Sequence, residues 1–116
     1  MYAGSVVVAA TATVIEAVDA RSGTPAWRHP LQSPPLVLLG TGTTVYVLDE
    51  MGVTARDAAT GEEEWDSSTD GIPGSIAVGK RGVAVTQADS RVMVFSAADG
   101  RRVWTRQLTG TLRPLA

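Results

Sequence analysis

Short apolar runs alternate along this chain with turns made of glycine and small polar residues. Runs rich in valine and other β-formers, such as residues 43–48 and 82–87, are typical of strands. Gly40-Thr41-Gly42 and Gly79-Lys80-Arg81 have the composition of turns between such strands. No segment shows convincing helical periodicity. The pattern therefore predicts an all-β chain.

The pattern repeats along the chain. Trp27, Trp65 and Trp104 are 38 and 39 residues apart, and each lies four residues after a glycine. Aligning the copies on these tryptophans brings further positions into register. The aligned positions are Ala17, Asp19, Gly23 and Trp27 in the first copy, Ala55, Asp57, Gly61 and Trp65 in the second, and Gly100 and Trp104 in the third.

Each copy of this motif is predicted to be a β-hairpin. A β-rich run ends at Asp19, Asp57 or Ser96, and a three-residue loop with a left-handed glycine would return the chain. The aspartates can accept hydrogen bonds from backbone N–H groups two residues on. The tryptophan then lies on the returning strand and packs against the neighbouring repeat, where truncation to alanine should cost about 3–5 kcal/mol.

Two more candidate strands precede the hairpin in the second and third copies, at residues 36–39 and 43–48 and at residues 75–78 and 82–87. Four short antiparallel strands per ~40 residues indicate a propeller blade. The predicted fold is a partial β-propeller of about three four-stranded antiparallel blades. Its predicted limits are residues 1–33 for a blade lacking its first strand, 34–72 and 73–110 for two blades, and 111–116 for the start of the next.

Closed propellers have roughly 4–8 blades, and three blades leave sheet faces and edges open. These open faces and edges are therefore expected to be covered by further blades of a longer parent chain, or by further copies of this chain. In the second case, two copies would give six blades, with residues 112–116 of one copy supplying the missing first strand of the other.

Composition narrows the possible partners. The formal net charge is -2, which does not suggest nucleic acid or an anionic membrane surface. The chain has no cysteine, so disulfides and thiolate metal sites are excluded. No apolar run approaches the ~18 residues of a membrane span, so direct membrane insertion is not expected.

The pattern Ala-x-Asp-x-x-(Thr/Ser)-Gly-x-x-x-Trp resembles the tryptophan-docking motif of the pyrroloquinoline-quinone (PQQ) enzyme family. The first two copies match every anchor, and the third keeps Gly100 and Trp104. Similar repeats occur in the propeller lipoprotein of the outer-membrane β-barrel assembly machinery and in sensor domains of some bacterial Ser/Thr kinases. The nine arginines against one lysine are typical of a GC-rich coding sequence and indicate a bacterial source. The resemblance implies an extracytoplasmic location, in the periplasm or at the cell surface.

The resemblance to PQQ-dependent dehydrogenases implies a quinone bound with Ca²⁺, a vicinal cysteine pair and an aspartate base. This chain has no cysteine. Asp19 and Asp57 occupy docking positions, for which a structural role in the turn is favoured. We therefore assign no catalytic, cofactor-binding or metal-binding residue, and expect no cofactor unless the chain is part of such a dehydrogenase.

Other polar residues receive structural interpretations. His29, the single histidine, follows a predicted strand without an evident partner and is interpreted as an exposed loop residue. The acidic run of Glu62, Glu63, Glu64 and Asp66 lacks the spacing of a Ca²⁺ loop and is interpreted as a solvated surface. Pro34, Pro35, Pro73 and Pro114 are expected to stiffen the connections between blades.

Three functional hypotheses follow. The first is a non-catalytic binding or scaffold propeller whose blade-end loops engage a protein or a small molecule. The second is a fragment of a PQQ-dependent dehydrogenase whose catalytic residues lie in blades absent from this chain. The third is a fragment whose activity is self-assembly. The motif favours a non-enzymatic role and leaves enzymatic activity of a longer parent open, because the docking residues hold blades together.

Overall fold

The computed structural model describes residues 1–108. All of the regular secondary structure in this range is β-strand. The first sheet consists of β1 (Tyr2–Ala3), β2 (Val6–Ala10), β3 (Val14–Asp19) and β4 (Pro25–Pro30). The second consists of β5 (Pro35–Gly40), β6 (Thr44–Asp49), β7 (Gly52–Asp57) and β8 (Glu63–Ser68). The third consists of β9 (Pro73–Val78), β10 (Gly82–Gln87), β11 (Arg91–Ser96) and β12 (Arg102–Gln107).

Strands lie in chain order across each sheet, and every neighbouring pair is antiparallel. Sequential hairpins of this kind make each sheet one blade, which we number blades 1 to 3 in chain order. The blades pack face to face. This arrangement confirms the predicted all-β class and the partial propeller of three four-stranded blades.

The packing of the blades explains the continuous apolar run in β6. Val45 and Val47 belong to the apolar cluster that blade 2 shares with blade 1, whereas Tyr46 and Leu48 belong to the cluster shared with blade 3. A strand buried on both faces has no polar face to present to water, so alternation of polar and apolar residues disappears. All four residues are 4% exposed or less.

The first blade differs from its prediction. It was expected to lack a first strand, yet Tyr2 and Ala3 pair with Val7 and Val6 at the free edge of β2. The Val8 amide also donates to the Met1 carbonyl at 2.7 Å. Only three residues precede the loop 4–5, but two paired residues are enough for a strand because β2 offers its unpaired backbone groups. The predicted start of a further blade, residues 111–116, lies outside the described residues.

The hairpin loops also differ from prediction, being one residue longer. Asp19 N donates to the Thr24 carbonyl at 2.8 Å, so four residues separate the bonded pair instead of three. Gly23 N donates back to the Asp19 carbonyl at 2.8 Å. The additional residue provides the helix-like turn in which the Asp19 side chain can reach two backbone N–H groups.

Candidate functional site: docking contacts and blade-end loops

The three hairpin turns share one backbone geometry. Gly23, Gly61 and Gly100 have φ angles of 73°, 75° and 75°, in the left-handed region that glycine enters without steric cost. Asp19 Oδ1 accepts hydrogen bonds from the amides of Arg21 and Ser22 at 2.9 and 3.0 Å. Asp57 Oδ1 accepts one from the Ala59 amide at 2.8 Å. The third turn uses Ser96 Oγ, which accepts from the Ala98 amide at 3.3 Å.

Each of the first two tryptophans docks on the turn of the next blade. Trp27 Nε1 donates to the Ala58 carbonyl at 2.8 Å, and its ring covers Gly61, where an added Cβ would overlap the indole. Trp65 Nε1 donates to the Ala97 carbonyl at 3.1 Å, and its ring covers Gly100 in the same way. The glycine is therefore needed twice, for its backbone conformation and for the close approach of the ring.

The alanines of the motif make room for the ring on the adjacent strand. Ala17 is paired with Trp27 and Ala55 with Trp65, and both alanines are 1% exposed or less. A small side chain in this register leaves the indole free to lean toward the next blade. In blade 3 the corresponding residue is Val94, paired with Trp104.

A second polar contact accompanies each docked ring. His29 lies in β4, partly buried, with its ring centroid 5.8 Å from that of Trp27 and Nε2 3.0 Å from the Thr60 carbonyl oxygen. The sequence-based interpretation of His29 as an exposed loop residue is therefore wrong, because the strand continues one residue beyond it. At the equivalent position in blade 2, Ser67 Oγ donates to the Gly100 carbonyl.

Trp104 and Gly23 make no docking contact within residues 1–108. Trp104 is 48% exposed, whereas Trp65 is 8% exposed. No described atom outside its chain neighbours would lie within 4 Å of a Cβ added at Gly23. The last blade thus presents a docking tryptophan, and the first blade presents the turn that such a tryptophan covers.

The turns of each blade lie at its two ends. One end, here called the turn end, carries the docking turns (residues 20–24, 58–62 and 97–101) and the loops 4–5, 41–43 and 79–81. Backbone hydrogen bonds join these loops in every blade: Ala20 N to Ser5 O, Ala58 N to Thr43 O and Ala97 N to Arg81 O, at 2.9, 2.9 and 3.0 Å.

The other end, here called the linker end, carries the loops 11–13, 50–51 and 88–90 and the inter-blade connections 31–34 and 69–72. Ser33 Oγ donates to Asp49 Oδ2 at 2.8 Å, and 38 residues later the Gly71 amide donates to Gln87 Oε1 at 2.7 Å. The positions recur after 38 residues, but the sequence does not reveal the contact because the donor is a side chain at Ser33 and a backbone amide at Gly71.

Charged side chains reinforce the second connection. Asp70 accepts from Arg102 Nη2 at 3.1 Å and from Arg91 Nη1 at 3.3 Å, and all three side chains are between 34% and 43% exposed. Half-exposed ion pairs contribute about 0–1 kcal/mol each. Their main effect here is to fix the path of the connection over blade 3.

A cleft of about 700 Å³ runs along blade 2 from the first connection, at the linker end, toward the docking turn 58–62. Its lining includes Asp49, Glu50, Met51, Glu63 and Asp66, together with Arg56. Arg56 Nη1 donates to the Gly61 carbonyl at 2.9 Å, while its Nε is buried without a hydrogen-bond partner. The cleft therefore offers several carboxylates and the exposed thioether of Met51.

Two carboxyl groups at the turn end are held ionised by backbone N–H groups. The amides of Ser22 and then Arg21 lower the pKa of Asp19 below its ordinary value of 3.8. The Arg101 amide, 3.0 Å from Asp99 Oδ1, lowers the pKa of Asp99. Burial against Trp65, and then the nearby charge of Glu64, raise the pKa of the Tyr46 hydroxyl. None of these groups is arranged around a common reacting atom.

The described residues do not fit a quinone held with Ca²⁺. Among residues 1–108, no group of three or more His, Cys, Asp or Glu side chains could hold a metal ion. The acidic residues at positions 62–64 and 66 are all exposed and lie on either side of the buried Trp65. No reaction step through PQQ can therefore be derived from this part of the chain. No helix among these residues is long and apolar enough to cross a membrane.

Several solved structures resemble this fold. The chain is 30% identical to BamB from Moraxella catarrhalis, with a TM-score of 0.75, over 90% of this chain and 34% of that one. It is 19% identical to the computationally designed Ika8 protein (TM-score 0.85, 100% of this chain and 38% of that one). It is also 19% identical to the designed Ika4 protein (TM-score 0.84, 99% and 75%).

The chain thus spans about a third of the length of BamB and of Ika8. No curated protein matches the sequence. A family model described as outer membrane protein assembly factor BamB matches residues 7–116. The match covers all three copies of the docking motif and confirms the resemblance to PQQ-like repeat propellers. The chain belongs to the family of outer membrane protein assembly factor BamB.

Proposed function

We propose that this chain is a non-catalytic binding and scaffold segment of a propeller, and that it engages a protein partner through loops at its linker end. The observation that carries the proposal is the exposure of two large apolar side chains at that end. Met51 is 67% exposed in the loop between β6 and β7, and Ile72 is 65% exposed in the connection between blades 2 and 3. Apolar side chains presented together on a rigid support are typical of protein-binding surfaces.

The chemistry of the cleft indicates the kind of segment it would accept. Met51 supplies an adaptable apolar contact, because thioether side chains can fit partners of different shape. Glu50, Glu63 and Asp66 favour a partner with basic side chains, since opposite charges speed encounter and select orientation. An extended protein segment carries both apolar and basic side chains.

The family supports the class of partner and the location. Its description names an outer membrane protein assembly factor, so a protein partner within such an assembly and an extracytoplasmic location are consistent with membership. The stacked blades would act as the rigid scaffold that holds the loops in place.

The proposal predicts where a partner makes contact. A photo-crosslinking amino acid placed at Met51 or at Ile72 should capture the same protein of an outer-membrane assembly in cells that contain the chain. Matched positions at Lys80 and Ala98, exposed at the turn end, should capture little of it. A purified partner should then bind the unmodified chain and bind the Met51→Asp variant at least about 10-fold more weakly. Equal capture from both ends, or none from the linker end, would contradict the proposal.

The dehydrogenase hypothesis has a separate test. PQQ added with Ca²⁺ should leave both the absorbance of the quinone and the melting temperature of the chain unchanged. A rise in melting temperature that depends on both additives would favour the dehydrogenase, because a ligand that binds the folded state stabilises it.

A further inference from the structure

The outward face of blade 3 presents the docking half of the inter-blade contact. Trp104 stands where Trp65 stands in blade 2, but half of its surface is exposed. Two residues further along β12 is Arg106, at the position where His29 and Ser67 contact the carbonyl groups of the next turn. This face therefore carries both elements of the contact, an indole and a polar side chain able to donate to a carbonyl.

The outward face of blade 1 presents the receiving half. Gly23 has the same left-handed φ as Gly61 and Gly100, with open space where those two glycines meet an indole. Ala20 aligns with Ala58 and Ala97, whose carbonyls accept from the docked tryptophans. No described side chain donates to the Ala20 carbonyl. The receiving turn is thus formed before any ring occupies it, as a preorganised binding site would be.

We propose that two copies of this chain dock head to tail, with Trp104 of each copy seated on the Gly23 turn of the other. A second copy is the occupant because the chain itself supplies both halves of a contact that it already makes twice, at blades 1–2 and 2–3. The new interfaces continue the same stacking. Twice three blades makes six, within the roughly 4–8 blades of closed propellers, so the head-to-tail contact can close on itself.

This assembly uses the outward faces of blades 1 and 3 and is independent of the partner that the linker end binds. Failure of one proposal therefore leaves the other untouched.

The test is the solution mass of the chain, measured by light scattering coupled to size exclusion over a wide concentration range. The assembly predicts a species of twice 12.1 kDa. Trp104→Ala should raise its dissociation constant roughly 30-fold or more, as loss of a central tryptophan does at other interfaces. Gly23→Val should do the same, because a side chain there occupies the space of the indole and strains the left-handed turn that receives it. Val103→Ala, an exposed residue of β12 on the opposite face from Trp104, should leave the mass unchanged.

Mixing variants separates specific docking from general apolar association. The Trp104→Ala copy keeps its Gly23 turn, and the Gly23→Val copy keeps its tryptophan, so an equimolar mixture has one intact interface. The mixture should form a one-to-one dimer that neither variant forms alone, with circular dichroism showing that each variant is folded. A folded unmodified chain that stays at 12.1 kDa at all concentrations, or a mixture that recovers no dimer, would overturn the proposal.

Discussion

At the scale of single residues, the contacts between blades require glycine at one position of the turn as much as they require the tryptophan that covers it. Gly61 and Gly100 allow an indole to lie directly on the turn, and Asp19 and Asp57 hold the turns with side-chain hydrogen bonds. The tryptophan both buries apolar surface and satisfies a carbonyl of the turn it covers. Each docking contact thus combines apolar burial with a directional bond.

The turn carboxylates make stability depend on pH. Because backbone N–H groups lower the pKa of Asp19 in the folded chain, its ionised form stabilises the fold above the unfolded pKa, and this contribution is lost as pH falls through the folded pKa. Unfolding followed by circular dichroism should show the melting temperature decreasing as the pH is taken below about 4. Asp19→Asn, which cannot ionise, should weaken that decrease. A melting temperature with the same acid dependence in the variant would contradict this role for the carboxylate.

Single residues differ in how well sequence predicts them. The Gly–Trp spacing identifies the docking residues because the same steric requirement recurs in each blade. His29 was wrongly interpreted because one copy alone does not show that its position repeats as Ser67 and Arg106, three residue types with no common property except the ability to donate a hydrogen bond. The contact from Ser33 to Asp49 is hidden in the same way, since blade 3 uses a backbone amide and Gln87 instead.

At the scale of elements, position in the blade determines the character of a strand. Residues 45–48 of β6 are all apolar because both faces of the strand are covered, whereas every residue of β12 is exposed. Pro25 and Pro30 bound β4 at the outer edge of blade 1, where a missing N–H breaks no ladder within the sheet. Each outer strand is held to the next blade chiefly through its tryptophan.

Equivalent outer strands should therefore respond differently to the same truncation. Trp65→Ala removes a ring docked on Gly100 and should lower the free energy of unfolding by about 3–5 kcal/mol. Trp104→Ala, measured by urea denaturation of the dissociated chain, should cost about 1 kcal/mol or less, because its ring is half exposed already. Equal losses for the two variants would mean that docking contributes little to the blade contact.

Strand existence was predictable at this scale, and strand ends were not. Runs rich in β-branched residues between glycine turns identify β6 and β10 because both are inner strands of their sheets. β1 escaped prediction since two residues carry no periodic pattern, and the strand forms only because β2 has an unpaired edge. The length of the hairpin loop depends on hydrogen bonds of the Asp19 side chain, which sequence spacing alone does not distinguish from a shorter turn.

At the scale of the whole molecule, the blades form a series in which each packs against the next. Two apolar clusters fill the two interfaces, one between blades 1 and 2 and the other between blades 2 and 3. Stability in such a stack is approximately a sum of blade terms and interface terms. Loss of one docking contact should therefore destabilise the adjacent blade more than the remote one.

Hydrogen exchange at the three docking turns tests most directly whether tryptophan docking couples the blades. In each turn the glycine amide makes the same bond, at 2.7–2.8 Å, so differences in protection report on the ring above it. In the dissociated chain, turns 58–62 and 97–101 should exchange more slowly than turn 20–24, and Trp65→Ala should accelerate exchange at 97–101 while turn 58–62 stays protected. Equal exchange at all three turns, or no change at 97–101 in the variant, would contradict the account.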